Sequence, residues 1–126
     1  MNPPRRSHSR AAAFGYAFSG LWYVLRTQRN AWIHAVASLL VIALAAWLRL
    51  SPHDWAVLLL AIGLVWMAEF VNTALEAAVD LASPAVHPLA RVGKNVGAAA
   101  VLIAAGTAAA VGLLILGPAL WRRLGL

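Results

Sequence analysis

Three of the four acidic residues in this 126-residue chain, Glu69, Glu76 and Asp80, lie in one short stretch. At about 100° per residue of an α-helix, these carboxylates share one face with Asn72, while the other faces are apolar. A carboxylate at membrane depth costs a few kcal/mol or more unless it faces a protein interior, water or a metal. Carboxylates so close together cannot all stay ionised without a nearby cation. The stretch therefore predicts metal binding, proton handling or phosphoryl chemistry, with a purely structural polar network as the plainer alternative.

The composition of the chain is that of a membrane protein. Hydrophobic residues make up 63% of the chain and charged residues 11%, and three apolar stretches are long enough to cross a bilayer. There is no cysteine, which excludes disulfides and thiolate metal sites. The net charge of +6 would suggest nucleic acid for a soluble protein. Here the basic residues flank apolar spans, so we expect no nucleic-acid partner and attribute them to lipid headgroups and membrane orientation.

The pattern of polar and apolar residues predicts one all-α membrane domain over residues 1–126. Residues 1–8 are expected to be a disordered basic tail, and residues 9–28 an amphipathic helix too polar to span, which would lie in the membrane interface. The three predicted spanning helices cover residues 31–48, 55–82 and 96–120. His34, one turn inside the first span, is expected to be an ordinary interfacial histidine. The third span is rich in Ala and Gly, which suits a tightly packed bundle or oligomer.

The connections set the orientation in the membrane. Residues 49–54, containing Pro52, are predicted to be a short turn, and residues 83–94 a loop. Three spans place the N-terminal tail, the interfacial helix and the 83–94 loop on one side, together with seven of the ten Lys and Arg residues. The positive-inside rule makes this side cytoplasmic, and the Arg122-Arg123 pair on the other side weakens this assignment without reversing it.

This topology brings the acidic end of the second span to a basic loop at the cytoplasmic surface. Lys94 stands close to the predicted start of the third helix, where backbone N–H groups and the helix dipole favour anions. Phosphoryl transfer needs a metal, a cation for the developing charge, and a group that deprotonates or orients the attacking hydroxyl. The carboxylates and Lys94 can supply these functions. The sequence has no glycine-rich phosphate loop or kinase signature, so a kinase here would be of an unusual type.

The acidic stretch and the residues after it resemble the prokaryotic diacylglycerol kinase family, which includes undecaprenol kinases. The resemblance rests on Glu69-x-x-Asn72-Thr73-Ala74-Leu75-Glu76-x-x-Val79-Asp80, His87-Pro88 and Gly93-Lys94-Asn95. It covers nearly the whole chain, including the interfacial helix and the three spans. It implies a homotrimer in the bacterial inner membrane, with active sites between subunits. These sites would use ATP and magnesium to phosphorylate a membrane lipid alcohol at the cytoplasmic face.

The resemblance also implies a role for each site residue, carried over position by position. Glu69 is the expected catalytic base that takes the proton from the lipid hydroxyl, with Asn72 beside it. Glu76 is an expected metal ligand. The residues expected to hold ATP, with the lysine at its phosphates, are Asp80, His87, Lys94 and Asn95.

Two positions depart from the family pattern. Gln28, in the segment Gln28-Arg29-Asn30-x-x-x-His34, stands where the family has a second metal-binding Glu. Asn95 stands where the family usually has Asp. Both changes remove negative charge from the expected site. Gln28 can still offer its carbonyl oxygen to the metal, but a neutral ligand binds a hard cation more weakly.

Several alternatives remain open from the sequence. Undecaprenol is slightly favoured over diacylglycerol as the substrate by the segment around Arg29-Asn30 and Ile33-His34. A catalytically weakened homologue, which binds nucleotide or lipid without turnover, is consistent with Gln28 and Asn95. A small proton-coupled transporter or channel that uses the buried carboxylates as a relay is an alternative from another class, and it predicts carboxylates near mid-membrane.

Overall fold

The computed structural model describes residues 9–126, so the predicted disordered tail at residues 1–8 lies outside the described residues. The helices are α1 (Arg10–Thr27), α2 (Arg29–Leu48), α3 (Pro52–Ala82) and α4 (Pro88–Leu124). No strand occurs within residues 9–126. The helices α2, α3 and α4 are each long and apolar enough to cross a membrane. The predicted all-α architecture with three candidate spans is confirmed.

Helix α1 occupies the segment that was expected to be an interfacial helix. Its N-cap is Ser9, whose side chain accepts a hydrogen bond from the N–H of Ala12, as small polar residues do at helix starts. Within α1 the only buried residue is Val24, and large aromatic side chains such as Phe14 and Trp22 are exposed. Its position at a membrane interface stays a prediction.

The turn between α2 and α3 is shorter than the predicted 49–54 turn. Helix α2 ends at Leu48, and Arg49 follows it as the C-cap in the left-handed conformation. Helix α3 already begins at Pro52. Ser51 caps α3, because its Oγ accepts a hydrogen bond from the N–H of Asp54. Proline suits the first position of a helix, where its missing N–H would have no intrahelical acceptor. The predicted start of this helix at residue 55 is therefore wrong by one turn, since Pro52 opens the helix.

Helix α4 starts well before the predicted residue 96. His87 is its N-cap and accepts a hydrogen bond from the N–H of Leu89 at its Nδ1, 3.2 Å away, and Pro88 occupies the first helical position. The connecting loop is consequently limited to residues 83–87. Lys94 lies in the second turn of α4. The free N–H groups of the helix start, which were expected to favour anion binding beside this lysine, are therefore not next to it.

The bundle is built on α3 and α4, which pack along each other more extensively than either packs against α2. One side-chain hydrogen bond joins α2 to α3, because Trp66 Nε1 donates to Ser38 Oγ at 3.1 Å. Ser38 Oγ in turn donates to the backbone oxygen of His34 at 2.7 Å. Because α2 packs sparsely against α3 and α4, cavities remain between the three helices.

Candidate active site

A polar cavity of about 330 Å³ lies between α2, α3 and α4, beside the acidic stretch of α3. Its polar lining residues are Gln28, Asn30, His34, Glu69, Asn72 and Glu76. The structure therefore brings four of the residues predicted from sequence, Gln28, Glu69, Asn72 and Glu76, to a single cavity. Two of the three acidic side chains of the stretch are in this cavity.

Glu69 places a buried carboxylate without a hydrogen-bond partner in this cavity. Its residue is only 1% exposed, and its Oε2 lies 3.7 Å from His34 Nε2, which is too far for a hydrogen bond. Neither of these two atoms has a hydrogen-bond partner. Thr73 Oγ1 donates to the backbone oxygen of Glu69 at 2.9 Å and leaves the carboxylate free. Because burying an unsatisfied polar group is costly, this arrangement points to a function.

Asn72 is held between Glu76 on its own helix and Gly97 on α4. Its Nδ2 donates to Glu76 Oε1 at 3.2 Å, which fixes the orientation of the amide. Its Oδ1 is buried without a hydrogen-bond partner and lies against Gly97, where an added Cβ would overlap it. Glycine at this position therefore allows the close approach of α4 to Asn72.

We expect Gly97→Ala to destabilise the bundle at this contact. The new methyl group would overlap Asn72 Oδ1 and crowd Leu75 Cδ2 at 3.1 Å, and such overpacking typically costs about 1–3 kcal/mol. Thermal unfolding in detergent should show a melting temperature several degrees lower. The matched control is Gly106→Ala on the same helix, where a Cβ meets nothing within 4 Å. An equal effect of the two changes would contradict the proposed contact.

Asp80 and Lys94 form an ion pair between α3 and α4, beyond Glu76 toward the C-terminal end of α3. The side chains are 64% exposed for Asp80 and 38% exposed for Lys94, so the pair contributes little to stability. Neither residue lines the polar cavity. The lysine therefore lies outside the cavity lining, within reach of solvent.

His87 and Asn95 are not part of the polar cavity. Both are exposed, and Nδ1 of His87 is occupied as the cap of α4. Asn95 follows Lys94 on the exposed side of the same helix. Within one chain, the structure thus separates the predicted residues into a buried group around Glu69 and an exposed group near Lys94.

The donor atoms of the polar cavity fit a magnesium ion that arrives with phosphates. In the part of the chain that the structure describes, no three His, Asp or Glu side chains converge as a metal site. Glu76 and Gln28 line the same cavity and offer one carboxylate and one amide oxygen. Mg²⁺ commonly takes one or two protein carboxylates and completes its shell with water and phosphate oxygens. One carboxylate and one amide oxygen therefore fit a magnesium ion whose other ligands are water and phosphate oxygens.

The structure adds Asn30, His34 and Gly97 to the predicted site. His34, which was expected to be a hydrogen-bonded interfacial residue, lies beside Glu69, and its Nε2 has no hydrogen-bond partner. Asn30 and His34 are four residues apart and so share one face of α2. This spacing could have indicated from the sequence that both residues line the same site. Gly97 could not be distinguished in the sequence from the many other small residues of α4.

A larger apolar cavity of about 670 Å³ adjoins the polar one. The two share Ile33, His34 and Ala105 as lining residues. The apolar cavity extends between α2, α3 and α4 as far as Leu120, and apart from His34 and Ser38 its lining is apolar. A long apolar space that ends beside a buried carboxylate suits a molecule with a hydrocarbon chain and a polar end.

Three candidate spans around this pair of cavities define the class: a small integral-membrane protein with a polar site beside a long apolar cavity. The family model for prokaryotic diacylglycerol kinase matches residues 15–116. The chain therefore belongs to the prokaryotic diacylglycerol kinase family and is a lipid kinase by that membership.

Individual relatives agree with this membership. The chain is 38% identical over 108 residues to undecaprenol kinase of Bacillus subtilis (strain 168), a match covering 86% of this chain and 88% of that protein. It is 43% identical over 109 residues to diacylglycerol kinase of Synechocystis sp., covering 86% of this chain and 62% of that protein. It is 36% identical over 99 residues to diacylglycerol kinase of Escherichia coli (strain K12), covering 73% and 75%. The matched proteins are thus named for two different lipid alcohols.

Proposed function

We propose that this protein transfers the γ-phosphoryl group of ATP, with magnesium, to the hydroxyl of a membrane lipid alcohol, either undecaprenol or diacylglycerol. The observation that carries the proposal is the buried, unpartnered carboxylate of Glu69. It lies beside His34, which lines both the polar and the apolar cavity. Membership of a lipid kinase family supports the same conclusion.

In this proposal the hydrocarbon chain of the lipid occupies the apolar cavity and its hydroxyl reaches Glu69. Glu69 Oε2 accepts the hydroxyl proton while the lipid oxygen attacks the γ-phosphorus, and ADP leaves with the electrons of the broken bond. A general base must reach the proton that it removes, and Oε2 is available because no other group uses it. His34 on α2 lies beside this oxygen, with its Nε2 3.7 Å away.

Glu76 and Gln28 are the residues that would hold the magnesium ion. Such an ion would supply positive charge that offsets the negative charge of the phosphate oxygens. Asn72 acts as a positioning residue, because its hydrogen bond to Glu76 Oε1 limits where that carboxylate can lie. The second oxygen of Glu76 does not take part in this bond and is free to act as a ligand.

The exposed group of residues would hold the nucleotide. Lys94 would contact the phosphates, and Asp80, which pairs with it, would keep its ammonium group in place. His87 and Asn95 would complete the nucleotide contacts. Their exposure suits a ligand that arrives from water, and the excess of Lys and Arg on this side supports a cytoplasmic site.

We further propose a homotrimer in the bacterial inner membrane, in which a neighbouring subunit completes each active site. Exposed large apolar side chains along all three candidate spans, among them Leu40, Leu60 and Leu102, leave surface for lipid and for other subunits. The separation of the Glu69 and Lys94 groups within one chain agrees with a site that needs a second chain.

The test is phosphate transfer from labelled ATP by the purified protein in lipid, with undecaprenol and diacylglycerol offered in parallel. We expect magnesium-dependent labelling of one alcohol in preference to the other, which names the substrate. If neither alcohol is labelled while nucleotide still binds, the chain is a weakened homologue and the proposal fails. Proton flux through the protein in sealed vesicles would instead favour the transporter alternative.

Introducing a carboxylate at position 28 tests the metal assignment. We expect Gln28→Glu to lower the magnesium concentration for half-maximal activity by about tenfold, because a charged oxygen ligand binds a hard cation more tightly than an amide. Thr27→Glu is the matched control, since it adds the same charge at a neighbouring exposed position. An unchanged magnesium requirement for Gln28→Glu would remove residue 28 from the metal.

A further inference from the structure

A second polar hollow lies at the other end of the helices, far from Glu69. It has a volume of about 390 Å³, and its charged lining consists of Arg49, Arg122, Arg123 and Asp54. The lipid kinase activity requires no charged site at this end. We propose that this hollow binds the phosphate-bearing headgroup of an anionic phospholipid, at the membrane surface opposite the active site.

The positive charge of this hollow is only partly neutralised by the protein. In residues 9–126 the ion pairs within 4.0 Å involve other residues, so none of the three arginines has a carboxylate partner. The one lining acid, Asp54, is already engaged, because it accepts a hydrogen bond from Ser51 Oγ at 2.9 Å and lies 3.8 Å from His53 Nδ1. The helix dipoles place about half a negative charge at the C-terminal end of α2 and of α4, which offsets only part of the arginine charge. A net positive charge therefore remains for an anion.

The backbone and an aromatic ring hold two of the arginines in place. Arg49 caps α2 with φ 53° and ψ 52°, and it is the one non-glycine residue with positive φ in the described part of the chain. Helices more often use glycine or asparagine there, because a Cβ is unfavourable in this conformation. The guanidinium of Arg123 lies 5.4 Å from the centre of the Trp47 ring, a cation–π contact that leaves its N–H groups available.

A lipid headgroup fits this hollow better than free phosphate. Leu48, Leu50 and Ala119 give it an apolar wall, and it lies where α2 ends and α3 begins. Arginine binds phosphate oxygens through two parallel hydrogen bonds. Arginines at this end also oppose the positive-inside trend of the chain. Binding of an anionic ligand therefore explains them better than a role in setting the membrane orientation.

Native mass spectrometry of the full-length protein in an uncharged detergent can test this proposal. Phosphatidylglycerol and phosphatidylcholine with identical acyl chains are titrated separately, and we expect one phosphatidylglycerol retained per chain with little retention of phosphatidylcholine. The double change Arg49→Gln/Arg122→Gln should weaken phosphatidylglycerol binding about 30-fold, since each basic residue near a membrane surface contributes roughly fivefold. Because Arg49 shapes a turn, Arg122→Gln/Arg123→Gln is a second variant that leaves the turn intact and should show a similar loss.

The matched control is Arg10→Gln/Arg26→Gln, which removes two exposed charges from α1 that do not line the hollow. It should weaken phosphatidylglycerol binding less than threefold. Equal losses in the control and in the two hollow variants would overturn the proposal, because overall charge alone would then explain binding. Displacement of phosphatidylglycerol by an equal concentration of inorganic phosphate would also overturn it, since the hollow would then recognise any phosphate.

Discussion

Glu69→Gln should lower the rate of lipid phosphorylation by about 10²–10⁴-fold, the range that a positioned general base contributes, while nucleotide affinity changes little. The amide has nearly the same shape as the carboxylate and fits the same buried place, but it cannot accept the hydroxyl proton. The loss should appear in kcat at saturating ATP and lipid, because the base acts in the chemical step. Nucleotide binding is measured on the same variant with a fluorescent ATP analogue.

Glu69→Asp is the matched variant for this prediction. It keeps a carboxylate but withdraws it by one methylene, so it should retain more activity than Glu69→Gln. Near-normal kcat in Glu69→Gln would remove Glu69 from the role of base. The nucleotide is assigned to the exposed Lys94 group, away from the buried carboxylate of Glu69. Loss of nucleotide binding together with activity would therefore show that Glu69 maintains the structure of the site and is not the base.

Glu76→Gln should raise the magnesium concentration for half-maximal activity by roughly 10–100-fold, the equivalent of the 1.5–3 kcal/mol of an interaction with a charged group. Glu76 is the carboxylate that we assign to the metal, and an amide oxygen holds a hard cation less tightly. The amide can still accept the hydrogen bond that Asn72 gives to Glu76, so the neighbouring side chain should stay in place. A magnesium titration of the phosphate transfer rate measures the effect.

The double variant Gln28→Glu/Glu76→Gln serves as the control for that experiment. It moves the carboxylate to another wall of the same cavity and should recover part of the magnesium affinity that Glu76→Gln loses. Such coupling between two positions is expected only when they share a partner. If Glu76→Gln leaves the magnesium requirement unchanged, the metal lies elsewhere and this part of the proposed site is wrong.

The three candidate spans and the acidic face were predictable from the amino-acid sequence alone. Both depend on local properties: the number of consecutive apolar residues needed to cross a bilayer, and a helical period that places Glu69, Asn72 and Glu76 on one side of a continuous helix. Two helix starts were misplaced, at Pro52 and Pro88. A proline can mark the end of one helix or occupy the first position of the next. The capping hydrogen bonds that distinguish these two roles are visible only in the three-dimensional structure.

Which residues from different helices meet depends on how the helices pack in three dimensions. The approach of His34 to Glu69, the ion pair of Asp80 with Lys94, and the contact of Gly97 with Asn72 each join residues on separate helices. Helical periodicity tells which face of a helix is polar, but the height and rotation of one helix against another come from side-chain packing over the whole interface. For the same reason, the three arginines at the far end were apparent in the sequence only as charges that opposed the predicted orientation.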